Sequence, residues 1–334
     1  MKIQERCFQK HVALLVASVS GLMLMAFSLP LSVAWGQGQK VLKIGVLTDG
    51  MVPWTSSAKG FRDGLREFGY IEGKNVAFEA RATQGDSSRV PVLAAELLKS
   101  RPDLLFCISD ACWKETGRIP MVFTQVSDPV RNGLVASIAR PGGNITGIAN
   151  LRADLTAKRL ELFQQTVPSL RRVLITYDPR KTEETEAVAS ARGAAKRLGL
   201  QLLENPVKVP SEIEPALAKL IEGGQDGILI VQAGTNLNIP GRSLEVSTSN
   251  NLPTMYPAPV WSQFGALASY GPDQYAQGRQ AARLAHKILT GTPPGELPVE
   301  LPGRIEFIIN VKTAKRIGLR LPELVLVRAD RVIN

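Results

Sequence analysis

The sequence predicts an α/β protein built as two similar open lobes with parallel sheets. Three observations lead there. Lys43 to Phe123 and Arg172 to Tyr256 run through the same order of short apolar strands and longer helices. Both stretches follow an apolar leader, and about 300 residues beyond it are comfortable for two cores and large for one.

In the leader, Lys2, Arg6 and Lys10 precede an apolar run from Val12 to Phe27, which Pro30 breaks before the small residues around Ala34 to Gly36. This is the layout of a secretory signal peptide over residues 1–36. The alternative is an uncleaved anchor, since Val12 to Trp35 approaches the roughly 20 residues that span a bilayer. The whole chain has 40 Lys+Arg and 30 Asp+Glu; setting aside the three basic residues and Glu5 of the leader leaves 37 and 29, a balance of +8. The basic residues are interspersed with acids, which reads as a solvated surface and not a nucleic-acid interface.

The first lobe opens with the buried strand Lys43–Leu47. Ala58, Phe61, Leu65 and Phe68 then recur at helical spacing until Gly69 stops the helix. Asn75 to Arg81 is a second strand, and Val90, Leu93, Leu97 and Leu98 share one side of a second helix. Asp103 to Ser109 and Ile119 to Gln125 complete four strands. In the second lobe, the strand Arg172–Thr176 precedes a helix with Glu183, Glu184 and Glu186 near its start and Arg192, Lys196 and Arg197 near its end. Those charges oppose the helix dipole at both ends. Leu200 to Val207 is the next strand. Ser211 and Glu214 form a capping box for a helix ending near Ile221, before Gly223 and Gly224. Asp226 to Gln232 and Leu252 to Tyr256 follow as strands, and Asp273 to Thr290 is a late helix.

Strands alternating with helices give parallel sheets covered on both faces, and ligands of such sheets sit beyond the carboxyl ends of the strands. That rule selects Thr48, Asp49, Ser109, Asp110, Ser127 and Asp128 in the first lobe. In the second it selects Tyr177, Asp178, Gln232, Ala233 and Tyr256. Trp54, Trp113, Trp261 and Tyr270 join Tyr177 and Tyr256 as aromatic surface for an apolar ligand. Asp128 or Asp178 is the expected partner of a ligand ammonium.

The sequence lacks G-x-G-x-x-G after the first strand, G-x-x-x-x-G-K-[ST] and G-x-S-x-G, so no dinucleotide, P-loop or serine-hydrolase chemistry is signalled. With His286 the one histidine beyond the leader, the reading is a binding protein without cofactor or metal and not an enzyme. Cys107 looks like a core strand residue and Cys112 like a loop residue, which favours two free thiols over a disulfide.

Several blocks resemble a known family: Phe61 to Tyr70 with Glu72 to Asn75, Leu93 to Leu97, and Ile119 to Phe123 with Ser127 to Val130. The likeness continues through Gly133 to Ser137, Arg140 to Gly147, Ser269 to Asp273, Leu297 to Glu300, and Ile309 and Asn310 with Lys312 to Lys315. They resemble the solute-binding proteins of ABC transporters in the tryptophan/tyrosine-permease-like group. The resemblance implies a type I periplasmic binding protein fold, two Rossmann-like lobes with three crossing segments and a ligand between them. It implies lobe 1 at about 41–147 plus 270–296, with lobe 2 at 148–269 plus 297–334. It also implies a periplasmic monomer that delivers a small solute, an amino acid (an aromatic one in its better-known relatives) or related carboxylate, to a membrane permease and ATPase. The alternatives are a ligand sensor docking to a membrane receptor or kinase, and an orphan with an altered pocket. One departure bears on the ligand. Members carry a Gly-Thr-Pro-Ala-like turn after the third strand, whereas this chain reads Ser109 to Gly117 and reaches Ile119 several residues early.

Overall fold

A computed structural model describes residues 40–334 except 51, 85, 109–111, 113–115, 151, 209–211, 219–225 and 232–238. The expected leader, Ser211 of the capping box, and the turns carrying Ser109, Asp110, Trp113, Gln232 and Ala233 lie outside the described residues.

Two sheets form. The first contains β1 (Leu42–Thr48), β2 (Val76–Ala82), β3 (Leu104–Ile108), β4 (Met121–Val126) and β5 (Ile145–Ala149), in the order β2-β1-β3-β4-β5 with every pairing parallel. Helices α1 (Ser56–Glu67) and α2 (Val90–Lys99) connect β1 to β2 and β2 to β3. Alternation along the strands sends side chains to two cores. Ile44, Val46, Phe106, Val122 and Ile148 pack under α1, where Phe61 stacks on Phe106 with ring centroids 3.9 Å apart. Leu47, Leu105, Cys107, Met121 and Phe123 pack under α2.

From β5 the chain passes through α3 (Arg152–Thr166) into the second sheet, which contains β6 (Arg172–Tyr177), β7 (Gln201–Pro206), β8 (Asp226–Ile230), β9 (Thr254–Tyr256), β10 (Ala268–Pro272), β11 (Ile305–Asn310) and β12 (Arg331–Ile333). The order is β12-β11-β10-β9-β8-β6-β7, parallel except for the antiparallel pair β10/β11. Helix α4 (Thr182–Leu198) behaves as its charges require: Glu183 and Glu184 occupy the first turn, Lys196 and Arg197 the last, and Gly199 caps it at φ +67°. The core of this sheet lies on one side under α3 and α4, among Phe163, Val173, Ile175, Val188 and Ala191. On the other side, Leu174, Ile228 and Ile230 pack with Leu217 of α5 (Ile213–Ala218) and Leu244 of α6 (Ile239–Ser249).

After β10 the chain leaves the second sheet. Asp273 caps helix α8 (Gln274–Leu289), its side chain accepting from Tyr275 N (2.9 Å) and Ala276 N (3.1 Å); a four-residue helix α7 (Val260–Gln263) precedes β10. Helix α8 lies on α1 in backbone contact, because Gly60, Gly64 and Gly278 remove the side chains that would hold the helices apart. Leu297 and Val299 then join the first sheet's cores, Thr146 Oγ1 donating to Leu297 O at 2.7 Å. β11 returns the chain to the second sheet, followed by α9 (Val311–Arg316) and α10 (Glu323–Arg328).

One expectation is corrected. Cys107 and Cys112 are paired as a disulfide, with Cα atoms 5.4 Å apart. β3 ends one residue after Cys107, and Cys112 packs on the same core as its partner. At that Cα separation a residue five positions downstream is within bonding reach, which neither residue's local sequence pattern reports.

Candidate functional site

In the first sheet the carboxyl ends of the strands form a closely hydrogen-bonded polar surface. Thr48 is fully buried; its Oγ1 accepts from Gly50 N (3.1 Å), and the Asp49 carbonyl accepts from Thr83 Oγ1 (3.0 Å). At the end of β4, the register with β5 shifts between Thr124 and Val126, and Gln125 takes a left-handed conformation at φ +64°. Such backbone is costly for a residue with a side chain. Here it swings Gln125 to the N-termini of α1 and α8: Nε2 donates to Ser57 Oγ, and Oε1 accepts from Gln274 Nε2 at 3.3 Å. Ser57 in turn donates to Gln274 O at 3.0 Å. Gln277, also buried, donates to Asn150 Oδ1 (3.0 Å), and Asn150 N donates to Val126 O (2.7 Å).

Thr124 Oγ1, Ser127 Oγ and Gln277 Oε1 are buried without a hydrogen-bond partner, as is Thr176 Oγ1 at the end of β6 in the second sheet. A buried polar atom without a partner costs about 1–3 kcal/mol. Thr124 and Ser127 lie at the end of β4, Thr176 at the end of β6, and Gln277 in α8, where its amide also bonds Asn150 just beyond β5.

The two carboxylates expected to meet a ligand ammonium each hold a cation of their own. Asp128 accepts from Arg131 N at 2.9 Å, with Arg131 Nε 3.6 Å from its other oxygen. Asp178 is buried and accepts from Arg180 N (3.0 Å), Nε (2.8 Å) and Nη2 (2.6 Å), and this pairing holds its carboxyl below the usual range. Its backbone N–H donates to Glu184 Oε2 at 2.6 Å, which fixes the start of α4 beneath it.

Among the aromatics, Tyr256 is fully enclosed in the second sheet's core, 5.6 Å from the Trp261 ring, and burial pushes its hydroxyl far above the ordinary range. Tyr177 is half-buried at the end of β6. Tyr270 lies within β10, half-buried, edge-on to Phe307 at 6.5 Å. Trp54 sits under the Arg62 guanidinium, 4.8 Å from its ring centre, and edge-on to Phe78. The structure thus brings Thr48, Ser127 and Asp128 to the ends of the first sheet, and Tyr177 and Asp178 to the end of β6; Tyr256 faces the core.

Sequence reasoning passed over Ser57, Gln125, Asn150, Gln274 and Gln277. Gln277 carries a legible signal: it occupies the stripe continued by Ala281, Ala285 and Ile288, where a polar residue among apolar ones marks a buried hydrogen-bonding role. Among the described residues no group of three or more His, Cys, Asp or Glu is placed to hold a metal ion, and no helix is long and apolar enough to cross a membrane.

The ABC transporter substrate binding protein family matches residues 49–333. This chain belongs to that family. The substrate-binding protein is 29% identical over 269 residues to a tyrosine-binding protein of Clostridioides difficile (strain R20291), covering 78% of this chain and 76% of that one. Its fold matches a conserved domain protein of Vibrio cholerae O1 biovar El Tor with a TM-score of 0.76 at 28% identity, over 88% of this chain and 100% of the other. An ABC domain from Streptococcus pneumonia, in complex with L-Trp, matches with the same TM-score of 0.76 at 25% identity, over 88% and 100%. The substrate-binding protein has the two-lobed α/β architecture of type I periplasmic binding proteins, and its family is one of solute-binding proteins, not of enzymes.

Proposed function

We propose that this substrate-binding protein captures an aromatic amino acid between its two sheets, outside the cytoplasm, and delivers it to a membrane permease and its ATPase. The observation that carries this reading is the likeness, along most of the chain, to two proteins described by an aromatic amino acid, one as tyrosine-binding and one in complex with L-Trp. In this reading residues 1–36 act as a cleaved export signal, and the mature protein works as a monomer without catalysing a reaction.

Each sheet with its helices acts as one lobe. We set the second changeover at Asp273, because β10 belongs to the second sheet and α8 packs on α1; residues 41–149 with 274–299 then move as lobe 1. Unsatisfied Ser127 and Thr176 hydroxyls on opposite lobes would both reach one ligand only when the lobes close. Contacts available only in that state make closure and binding one equilibrium. Half-buried Tyr177 and Tyr270 supply aromatic surface for the side chain.

The test is a calorimetric and thermal-shift panel of L-tyrosine, L-tryptophan, L-phenylalanine and small carboxylates. Ligand bound at 100 times its Kd stabilises by about 2.7 kcal/mol, so an aromatic amino acid should raise the melting temperature and give a one-site isotherm. Stabilisation by another solute class with none from the aromatic amino acids would overturn the assignment.

A further inference from the structure

We propose that Arg131 and Glu186 form a clamp across the mouth of the cleft, held in position by Asp128, that favours the closed form of the protein. The inference rests on the two-lobe capture reading and assigns part of the closure to residues of the protein itself.

Arg131 lies in the loop that follows β4 of the first sheet, and Glu186 lies in α4 of the second. The guanidinium meets the carboxylate with both ends: Nη1 pairs with Oε1, and Nη2 donates to Oε2 at 3.0 Å. Paired parallel hydrogen bonds of this kind fix orientation as well as distance, and only arginine makes them. The partners are separated by 55 residues and belong to different sheets, so the contact exists only while the lobes stand at this separation.

Asp128 prepares the arginine. Its carboxylate receives the Arg131 backbone N–H at 2.9 Å and lies 3.6 Å from Nε, which leaves the two terminal nitrogens directed away to Glu186. Glu183, one turn before Glu186, adds a further carboxylate to the field around the guanidinium. Asp128 thus ties the Ser127–Asp128 turn to the clamp. The exposure of the two side chains, 45% and 44%, places the pair at the rim, where both ends rehydrate when the lobes part. A pair with that freedom contributes modestly, and the bidentate geometry is the circumstance in which an exposed pair contributes at all. Since only the closed form carries it, the clamp raises the closed population without touching the solute.

The test reads closure without any solute. In the mature protein, where Cys107 and Cys112 are paired, nitroxide labels on exposed Lys74→Cys in lobe 1 and Lys196→Cys in lobe 2 report the interlobe distance by double electron–electron resonance. Arg131→Gln and Glu186→Gln should each lower the ratio of the short-distance to the long-distance population by roughly two- to five-fold. The double variant should lose no more than either single one, and all three should keep the parent's melting temperature within a few degrees. Unchanged distance distributions in both single variants, or losses that add in the double variant, would overturn the clamp. A panel in which no solute binds would leave this result intact and remove the capture reading instead, so the two failures are told apart.

Discussion

Gly278→Ala is expected to destabilise the protein by roughly 3 kcal/mol, because overpacking a tight interface forces backbone to move. A Cβ at position 278 would stand 2.0 Å from Ser57 O and 2.7 Å from Phe61 N, both backbone atoms of α1 that cannot rotate away. The helices would have to separate, and with them Gln274 and Gln277 would be drawn from Gln125 and Asn150. A matched control lies in α4. At Gly193 the nearest atom to an added Cβ is the end of the Arg197 side chain at 3.8 Å. There an alanine has room, and its better helix propensity should stabilise by about 0.5–1 kcal/mol. Urea unfolding of the two variants checks the pair: opposite signs support the account, and a near-neutral Gly278→Ala contradicts the close approach of α8 to α1.

Arg159→Ala should cost a similar amount, about 3 kcal/mol, by leaving a cavity and stripping a buried carbonyl of its donor. Arg159 is only 2% exposed and is among the largest fully buried side chains of the protein. Its Nε donates to Tyr270 O at 2.7 Å and its Nη1 to Thr156 Oγ1 at 3.3 Å. Helix α3 begins where the chain first enters the second sheet, and β10 ends where it leaves, so this one side chain ties the two crossing segments together. Arg159→Met keeps most of the volume and loses the donors. It should therefore retain part of the stability, with a loss of about 1–2 kcal/mol. If unfolding midpoints showed Arg159→Met equal to the parent, the hydrogen bonds would have no part in the tie.

Most of the fold was legible because its signals are local. Strands such as Leu104–Ile108 and Asp226–Ile230 are buried along their whole length, as parallel strands covered on both faces must be. The graded charges of α4 and the stop at Gly199 announce that helix within its own residues. The antiparallel β10/β11 pair is different, since it arises only after α8 has carried the chain to the other lobe and back.

The site was legible in position more than in role. The strand-end rule selected Thr48, Ser127 and Asp178, which do lie at strand ends, yet it could not show that Asp178 is held by Arg180 two residues on, or Asp128 by Arg131. Tyr256 was chosen for standing at a strand's end, and the pleat turned it inward against Trp261. Gln125 gave no sign at all. Its part depends on a register shift beside β5 and on two helix ends that lie 68 and 149 residues away along the chain. The cystine was missed because spacing alone does not report how close two Cα atoms come in space.

The claim beneath all of this is that a small molecule is held between the strand ends of two sheets. A crystal structure of the protein grown with the amino acid that most stabilises it tests that claim most directly. The account predicts density touching the β4 end around Ser127 and the β6 end around Thr176 in the same molecule. A solute seated on one sheet alone, or on an outer helix face, would contradict it.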